Sequence, residues 1–303
     1  MPTANYSIVS GDCLEEMRKM AEGSVNCCVT SPPYFGLRDY GVDGQMGLEQ
    51  TPDEYVALLV AVFHEARRVL RDDGTLWLNL GDSYAGGGHG GHSDNKAAIG
   101  VTGPRYNKPV GLKSKDLIGI PWRVAFALQA DGWYLRQDII WVKPNAMPES
   151  VTDRCTKSHE YVFLLSKSQS YYYDNEAVKE PAVSVGRIPG GNLKVDASRN
   201  DSGSDMTVPV APMRNKRSVW TISTRPFKGA HFATFPEKLV EPCILAGCPS
   251  GGTVLDPFMG SGTTLAVAKR LGRNSVGIDL NHDYCEIARK RIEDVVIENK
   301  IAL

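Results

Sequence analysis

The 303-residue sequence has no long hydrophobic run. No apolar stretch approaches the roughly 18–20 residues that a membrane-spanning helix needs. The first residues, MPTANYSIVSGD, lack the basic start and the apolar core of a secretory signal peptide. We therefore expect a cytoplasmic protein without a membrane partner.

Clusters of metal-binding residues are also missing. The seven cysteines lie apart from any group of histidines or further cysteines with the spacing of a zinc site. We expect buried, reduced thiols and no metal.

A strong net charge is the third absence, because the chain carries only −1 at neutral pH. The charge is nevertheless uneven: residues 179–228 hold nine Lys or Arg and four Asp or Glu, a net of +5. Contacts to phosphates need only a local basic face. An ordinary solvated loop has the same composition, so the segment is a candidate and no more.

Strands alternate with helices near both ends of the chain. Apolar, β-branched runs at 6–10, 25–30, 253–255 and 275–279 alternate with helical spacing. This order predicts an α/β fold with a doubly wound, mostly parallel sheet. We divide the chain into a first core half (1–178), an inserted irregular segment (179–228) and a second core half (229–303). A long mobile loop rich in glycine is predicted within the first half at 84–115.

Local signals predict individual boundaries. Thr51, followed three residues later by Glu54, is typical of a helix start with a capping box. Asp73-Gly74 predicts a turn that leads into the strand TLWLNLG. Helical spacing predicts a last helix over 284–298.

The segment VLDPFMGSGTTLAVAKRLG places a strand, an acid, a glycine turn and a helix in that order. This order holds a ligand outside the carboxyl end of a parallel strand. The residues after Gly262 are Thr-Thr rather than Lys-Ser/Thr, which excludes a Walker-type phosphate loop. Asp256 beside the turn suits a cationic group, such as the amino group of S-adenosylmethionine. Asp279, at the end of the next strand, is typical of an acceptor for ribose hydroxyls.

A second candidate loop is Thr30-Ser-Pro-Pro-Tyr34, directly after the strand VNCCV. Two consecutive prolines end the strand and fix an extended turn. Alone, this pattern leaves a structural turn and a functional loop open, and Tyr34 and Phe35 could be core aromatics.

Together, the two motifs resemble those of the DNA methyltransferases that methylate exocyclic amino groups. That family shows Asp/Asn/Ser-Pro-Pro-Tyr/Phe/Trp and Asp-Pro-Phe-x-Gly-Ser-Gly-Thr, and the resemblance covers nearly the whole chain. The Pro-Pro loop comes first here, which is the order of the beta class. The resemblance implies a circularly permuted Rossmann-like fold, with residues 8–12 supplying the strand beyond 276–279.

The resemblance also implies a cofactor, S-adenosylmethionine, and the residues that bind it. Asp12 is expected at the adenine, and Phe235 beside the methionine part. The complete expected cofactor set is Asp12, Phe235, Asp256, Phe258, Gly260, Ser261, Gly262, Thr263 and Asp279.

The implied catalytic residues are Ser31, Pro32, Pro33 and Tyr34. The amine of a base is a poor nucleophile because its lone pair is delocalised into the ring. Acceptors on its two hydrogens, here the Ser31 hydroxyl and the Pro32 carbonyl, would draw the nitrogen toward sp³ and hold it in line with the methyl group. The base must leave the duplex, and Tyr34 would stack on it, which is worth roughly 1–3 kcal/mol.

The carbon-5 cytosine methyltransferases instead use a Pro-Cys nucleophile. Pro242-Cys243 lies inside a predicted helix, so we interpret it as packing. Ser-Pro-Pro-Tyr resembles mostly N4-cytosine enzymes, and Asp-Pro-Pro-Tyr mostly N6-adenine enzymes, so the sequence favours cytosine over adenine. Methylation of RNA or protein and a non-catalytic DNA-binding module are two further functions that the motifs leave open.

Recognition of duplex DNA is assigned to the inserted segment. Its candidates for contacts to phosphates or guanine edges are Arg214, Lys216, Arg217 and Arg225. His89 and His92 in the glycine-rich loop are further candidates for DNA contact. A homodimer and a paired restriction endonuclease are the protein partners that the resemblance leaves open.

Overall fold

The computed structural model describes residues 4–37, 39–86, 111–182, 212–224 and 235–297. The strands in these ranges are β1 (Tyr6–Ser10), β2 (Val25–Thr30), β3 (Leu70–Leu80), β4 (Tyr134–Val142), β5 (His159–Ser166), β6 (Glu180–Pro181), β7 (Met213–Arg214), β8 (Val219–Thr221), β9 (Thr253–Asp256) and β10 (Asn274–Asp279). The α-helices are α1 (Cys13–Arg18), α2 (Pro52–Val69), α3 (Ile120–Ala130), α4 (Glu237–Gly247), α5 (Thr263–Arg270) and α6 (His282–Glu293).

Eight strands form one sheet in the order β1-β10-β9-β2-β3-β5-β4-β8. The first five of these are mutually parallel, while β5 runs antiparallel to both of its neighbours. The predicted α/β class with a mostly parallel sheet is therefore confirmed.

The N-terminal strand confirms the permuted arrangement. β1 pairs in parallel with β10, and Ile8 lies opposite Gly277. The first strand of the chain thus continues the sheet beyond the last strand, as the resemblance implied.

The helices form two groups. α1 contacts α2 and α2 contacts α3, while α4 contacts α5 and α5 contacts α6. α2 begins at the predicted capping box: Thr51 Oγ1 accepts from the Glu54 amide, and the Glu54 carboxylate accepts from the Thr51 amide. None of the helices in the described ranges is long and apolar enough to cross a membrane.

The strand register brings several chain segments to one edge of the sheet. β2, β3, β9 and β10 are parallel, so their carboxyl ends share that edge. β5 runs the opposite way and begins there. Ligands bind outside the carboxyl ends of strands in open α/β sheets, so a ligand site is expected at this edge.

Two predicted boundaries were wrong. Asp73-Gly74 does not turn the chain into a new strand, because β3 runs without interruption from Leu70. The extra residues form an irregularity in the ladder, in which Val25 lies opposite Leu70 but Cys27 lies opposite Thr75. The last helix ends at Glu293, short of the predicted 298, with Asp294 as its C-cap.

Residues Asn175–Arg217 form a second compact unit by themselves, and the rest of the chain forms the first. In its described part, β6 pairs with β7, so that Glu180 lies opposite Arg214. The unit starts four residues before the predicted 179–228 segment and ends eleven residues before it does. Val219–Thr221, which falls within the predicted segment, is a strand of the main sheet. Most of the predicted loop at 84–115, including His89 and His92, lies outside the described residues.

All seven cysteines are free thiols. Cys243 is buried within α4, as expected for packing, and its thiol contacts the carbonyl of Leu239. The expectation of burial was wrong for Cys155, which is exposed.

Candidate active site

A cavity of about 660 Å³ opens at the carboxyl edge of the sheet. Both predicted loops contribute to it, since Ser31 and Phe258 line the same space although they are far apart in sequence. Its volume is typical of a site for a cofactor-sized ligand. The predicted site residues that line it are Asp12, Ser31, Pro32, Pro33, Tyr34, Phe235, Phe258, Gly260, Ser261, Thr263 and Asp279.

Asp256 and Gly262 are the two predicted cofactor residues that do not line the cavity. The Asp256 carboxylate is fully buried and accepts hydrogen bonds of 2.6 Å from the hydroxyls of both Thr30 and Thr264. Burial raises the pKa of Asp256 to about 6, although these hydroxyls favour its ionised form. The expected contact with a cationic ligand group is therefore corrected: Asp256 ties the ends of β2 and β9 to α5.

Gly262 is a packing and turn residue in this structure. Its φ is +76°, the left-handed region, and it is the N-cap of α5. A Cβ at this position would lie 2.8 Å from the Cβ of Ala288 on α6. Glycine is therefore required both by the backbone conformation at the start of α5 and by the close approach of α6.

Asp279 keeps the place that the sequence predicted. Its two carboxylate oxygens accept from the amides of Gly260 (2.9 Å) and Asn281 (2.8 Å), and it lines the cavity at the end of β10. Burial raises its pKa. The carboxylate thereby fixes the glycine turn while facing the space where a ligand would lie.

Asp12 lies at the end of the neighbouring strand. Its Oδ1 atom accepts from the amides of Leu14 and Glu15, which caps α1. Asp12 and Asp279 supply acceptors on the cavity wall, and Phe235, Phe258 and Met259 supply apolar surface. An adenosyl group needs both, because it has an aromatic ring, an amine and ribose hydroxyls; the residues present fit S-adenosylmethionine.

Sequence reasoning missed a clamp on residues 257–263, the glycine turn after β9, which we call the cofactor loop. The Arg291 guanidinium donates to Thr263 Oγ1 (2.9 Å) and lies 3.3 Å from Ser261 Oγ, while its other nitrogen donates to Glu237 (2.7 Å). Arg291 is on α6 and Glu237 opens α4. The clamp holds the loop against both helices. In the sequence, the only sign of it is that Arg291 is a basic residue within a predicted helix.

The Pro-Pro loop, residues 31–34, is the proposed catalytic loop, and it is fixed at its backbone and at its aromatic ring. Tyr55 on α2 donates its hydroxyl to the Pro33 carbonyl (2.7 Å). The ring of Tyr34 lies against Gly81, where an added Cβ would be 2.5 Å from the Tyr34 Cε2 atom. Phe35 is buried beside Tyr55, so it is a core aromatic.

The Tyr34 hydroxyl is also held. It donates to Glu160 Oε2 (2.7 Å), lies 3.1 Å from Asn79 Oδ1, and accepts from the Ser31 hydroxyl (3.4 Å). Burial and the neighbouring Glu160 raise the pKa of Tyr34 well above its ordinary value, so the phenol keeps its proton.

Three further residues of the cavity wall were missed. Asn79, Lys143 and Glu160 all line it, and Lys143 forms an ion pair with Glu160. The signal was weak: each is a polar residue directly beside a short apolar run at one end of a strand.

Two of the predicted DNA-contacting residues are ion-paired within the second unit. Arg214 and Arg217 both pair with Glu180, at 3.0 and 2.7 Å, within the second unit. Lys216 is among the described residues, and Arg225 lies outside them. Their contacts to DNA stay a prediction.

Comparison with known proteins identifies relatives along nearly the whole chain. The family model N6_N4_Mtase, described as DNA methylase, matches residues 25–290. The Type II methyltransferase M.Cfr9I of Citrobacter freundii is 51% identical over 288 residues, covering 95% of this chain and 87% of the relative.

Solved structures share the fold. The cytosine-N4-specific PvuII DNA methyltransferase superposes with a TM-score of 0.66 at 22% identity, covering 99% of this chain and 89% of that one. M1.HpyAVI, solved in complex with SAM, gives a TM-score of 0.55 at 17% identity, covering 95% and 98%.

Proposed function

Because the chain belongs to the N6/N4 family of DNA methylases, which are S-adenosylmethionine-dependent enzymes, we propose that it methylates the N4 amino group of cytosine in duplex DNA. The observation that carries the proposal is the shared cavity: Ser31 of the catalytic loop and Asp279 of the cofactor side line one space. A methyl donor and an acceptor amine would meet there.

We assign the binding of S-adenosylmethionine to cavity residues whose side chains complement the groups of this cofactor. Asp279 would accept from the ribose hydroxyls and Asp12 would lie at the adenine. Phe258 and Phe235 would pack on apolar parts of the ligand. Bound S-adenosylmethionine supplies a methyl group on a positively charged sulfur, which makes the methyl carbon electrophilic.

The catalytic loop prepares the amine. Ser31 Oγ and the Pro32 carbonyl would accept its two hydrogens, which localises the lone pair on the nitrogen. Tyr55 holds the loop through the Pro33 carbonyl at 2.7 Å, so the acceptors are in place before the base arrives. Positioning of this kind accounts for catalysis without a covalent intermediate.

The base would reach the cavity by leaving the duplex. Gly81 lies against the Tyr34 ring. Tyr34 lines the cavity, and a flipped base would stack on this ring. The contacts of the Tyr34 hydroxyl keep the ring from turning away.

Cytosine is favoured because Ser31 stands where the family members that resemble mostly N6-adenine enzymes carry an Asp. The second candidate is N6-adenine methylation, since adenine also offers an amino group to the same two acceptors. Both reactions use the same cofactor and the same loop.

Sequencing of genomic DNA from cells that express the protein, combined with enzymatic digestion of that DNA, tests the proposal. We expect N4-methylcytosine within one short sequence context, absent from cells that express the Ser31→Ala variant. N6-methyladenine alone would establish adenine as the target, and no methylated base in either form would contradict the function itself.

DNA sequence recognition and protein partners follow from the proposed methylation of duplex DNA. The segment around Arg214 and Arg217 would supply sequence recognition. A cognate restriction endonuclease would cut the same context, because the relative M.Cfr9I is a Type II methyltransferase. Homodimer formation stays a prediction, as does the cytoplasmic location.

A further inference from the structure

A chain of hydrogen bonds leads away from Ser31. The Ser31 hydroxyl donates to the Tyr34 hydroxyl (3.4 Å), and the Tyr34 hydroxyl donates to Glu160 Oε2 (2.7 Å). The other Glu160 oxygen, Oε1, pairs with the ammonium of Lys143. The three residues Ser31, Tyr34 and Glu160 and their partner Lys143 all line the cavity. We call these four residues the relay.

The sheet explains why the relay forms. Ser31 follows β2, whose carboxyl end lies at the cavity edge, and Glu160 is the second residue of β5, which begins at that edge. Lys143 directly follows β4, and its amide donates to the Ser158 carbonyl (2.7 Å). Three strands thus bring residues from separate parts of the chain together.

The direction of the hydrogen bonds gives the relay a polarity. Glu160 Oε2 accepts from Tyr34 and also from the Asn79 amide nitrogen (3.1 Å). That Asn79 nitrogen also donates to the Tyr161 carbonyl (3.1 Å), which fixes the orientation of the amide. This orientation turns Asn79 Oδ1 toward the Tyr34 hydroxyl, which therefore has two acceptors, Glu160 Oε2 at 2.7 Å and Asn79 Oδ1 at 3.1 Å. The shorter bond, to the charged carboxylate, takes the single Tyr34 proton, and the Tyr34 oxygen can accept the Ser31 proton. This arrangement leaves the lone pairs of Ser31 Oγ available to an amine.

The ion pair at the end of the relay is largely buried. The side chains of Lys143 and Glu160 are only 20% and 14% exposed. The Lys143 ammonium also lies over the Trp141 ring, 4.4 Å from its centroid. A carboxylate so enclosed needs a cation beside it, and Lys143 is that cation.

On the basis of the proposed methyl transfer, we propose that Glu160 is the terminal acceptor of the proton that leaves the target amine, reached through Ser31 and Tyr34. Glu160 acts through two other residues, so it is a positioning residue for Ser31 before transfer and the destination of the proton afterwards. The role of Lys143 is to hold Glu160 in place.

Atoms and charge balance in this step. The lone pair of the amine forms the new nitrogen–carbon bond, and the pair of the broken carbon–sulfur bond stays on sulfur, which becomes neutral. The amine nitrogen, now positively charged, gives one proton to Ser31 Oγ. Ser31 passes its own proton to Tyr34 Oη, Tyr34 passes its own to Glu160 Oε2, and the positive charge of the nitrogen is neutralised.

The relay is tested with the full-length protein in single-turnover methylation assays. The substrate is a duplex that carries the methylated sequence context found by genomic sequencing. We expect Glu160→Gln to slow transfer about 10²-fold, the lower end of the range for general acid–base catalysis. This deficit should shrink as pH rises, because water and hydroxide replace the missing acceptor. The affinity for S-adenosylmethionine, and the fluorescence of a base analogue placed at the target position, should stay within about twofold, since neither depends on proton loss.

Two double variants separate the relay from general damage to the site. Tyr34→Phe removes the middle of the same path, so Tyr34→Phe/Glu160→Gln should be little slower than the slower single variant. Glu160→Gln/Lys143→Met removes both charges and should stay slow. A multiplicative loss in the first double variant, or recovery in the second, would overturn the relay.

The failure of the relay is distinct from the failure of the proposed function. A wild-type protein that methylates DNA while Glu160→Gln matches it at every pH contradicts the relay alone. A loss in Glu160→Gln that is equal at every pH, or that is accompanied by weaker cofactor binding, assigns Glu160 a structural role and also overturns the relay. A wild-type protein that methylates no duplex contradicts both the relay and the proposed function.

Discussion

The Thr30 hydroxyl donates a 2.6 Å hydrogen bond to the buried carboxylate of Asp256, across 226 positions of sequence. Thr30 ends β2, directly before the catalytic loop, and Asp256 ends β9, directly before the cofactor loop. This hydrogen bond therefore ties the starts of the two loops together, in addition to the pairing of β2 with β9. Both stability and activity should depend on it.

Thr30→Val keeps the shape of the side chain and removes this bond. We expect the free energy of unfolding to fall by about 1–3 kcal/mol, because a buried acceptor that is ionised near neutral pH loses a donor. Denaturant unfolding measures the change. Methyl transfer should fall as well, since one of the contacts that tie the two loops together is lost.

Ser275→Ala is the matched control for Thr30→Val. Ser275 Oγ is buried on neighbouring β10 and is without a hydrogen-bond partner within the part of the chain that the structure describes. Its removal should leave stability unchanged or slightly higher. If both variants lose the same stability, the hydrogen bond to Asp256 is not the cause.

The carboxyl of Asp256 makes stability depend on pH. Burial raises its pKa from 3.8 to about 6, so the folded state holds the proton more tightly than the unfolded state. Its contribution is therefore fully present below about pH 4 and is lost as pH rises through about 6. Asp256→Asn should flatten this slope, measured as the difference from wild type in denaturant unfolding at several pH values. An unchanged slope would contradict the raised pKa.

The fold was predictable because its signals are local. β-branched runs, the capping box at Thr51 and the glycine turn at Gly262 each act over a few residues, and resemblance to the permuted family placed β1. The bulge in β3 was not predictable, since Asp73-Gly74 favours a turn and only pairing with β2 keeps the strand continuous.

The site was predictable where a motif carries it. Ser31, Tyr34 and Asp279 lie in short patterns, and they line the cavity. Glu160 and Lys143 come from two other strands, and their proximity depends on strand order and register. The position of Asp256 was missed for the same reason: its partner Thr30 is distant in sequence, and the motif alone does not show that the carboxylate points into the core.

Asp279 should control cofactor affinity. Its oxygens already accept from Gly260 and Asn281, so Asp279→Asn loses charge and replaces one acceptor by a donor. We expect the Kd for S-adenosylmethionine to rise about tenfold or more, since a hydrogen bond to a charged group is worth about 1.5–3 kcal/mol. Calorimetric titration without DNA measures it. Unchanged affinity would show that Asp279 does not contact the ligand.

Gly81 should control the catalytic loop through Tyr34. In Gly81→Ala the new methyl group would lie 2.5 Å from Tyr34 Cε2, so the ring must shift. We expect slower methyl transfer and weaker enhancement of fluorescence from a base analogue at the target position. Cofactor affinity should be unchanged, because Asp279 and the glycine turn are untouched. Wild-type transfer in this variant would show that the position of the ring is unimportant.

Ser31→Ala is the sharpest test of the catalytic assignment. It removes the acceptor proposed for the amine and the first member of the relay, while the cofactor side of the cavity keeps its residues. We expect methyl transfer to fall by about 10² to 10⁴-fold, the range for a positioned proton-transfer group, with the Kd for S-adenosylmethionine changed less than about twofold. Single-turnover assays and calorimetry measure the two quantities. Because Pro32 still offers its carbonyl, residual transfer is expected; transfer at the wild-type rate would remove Ser31 from the mechanism.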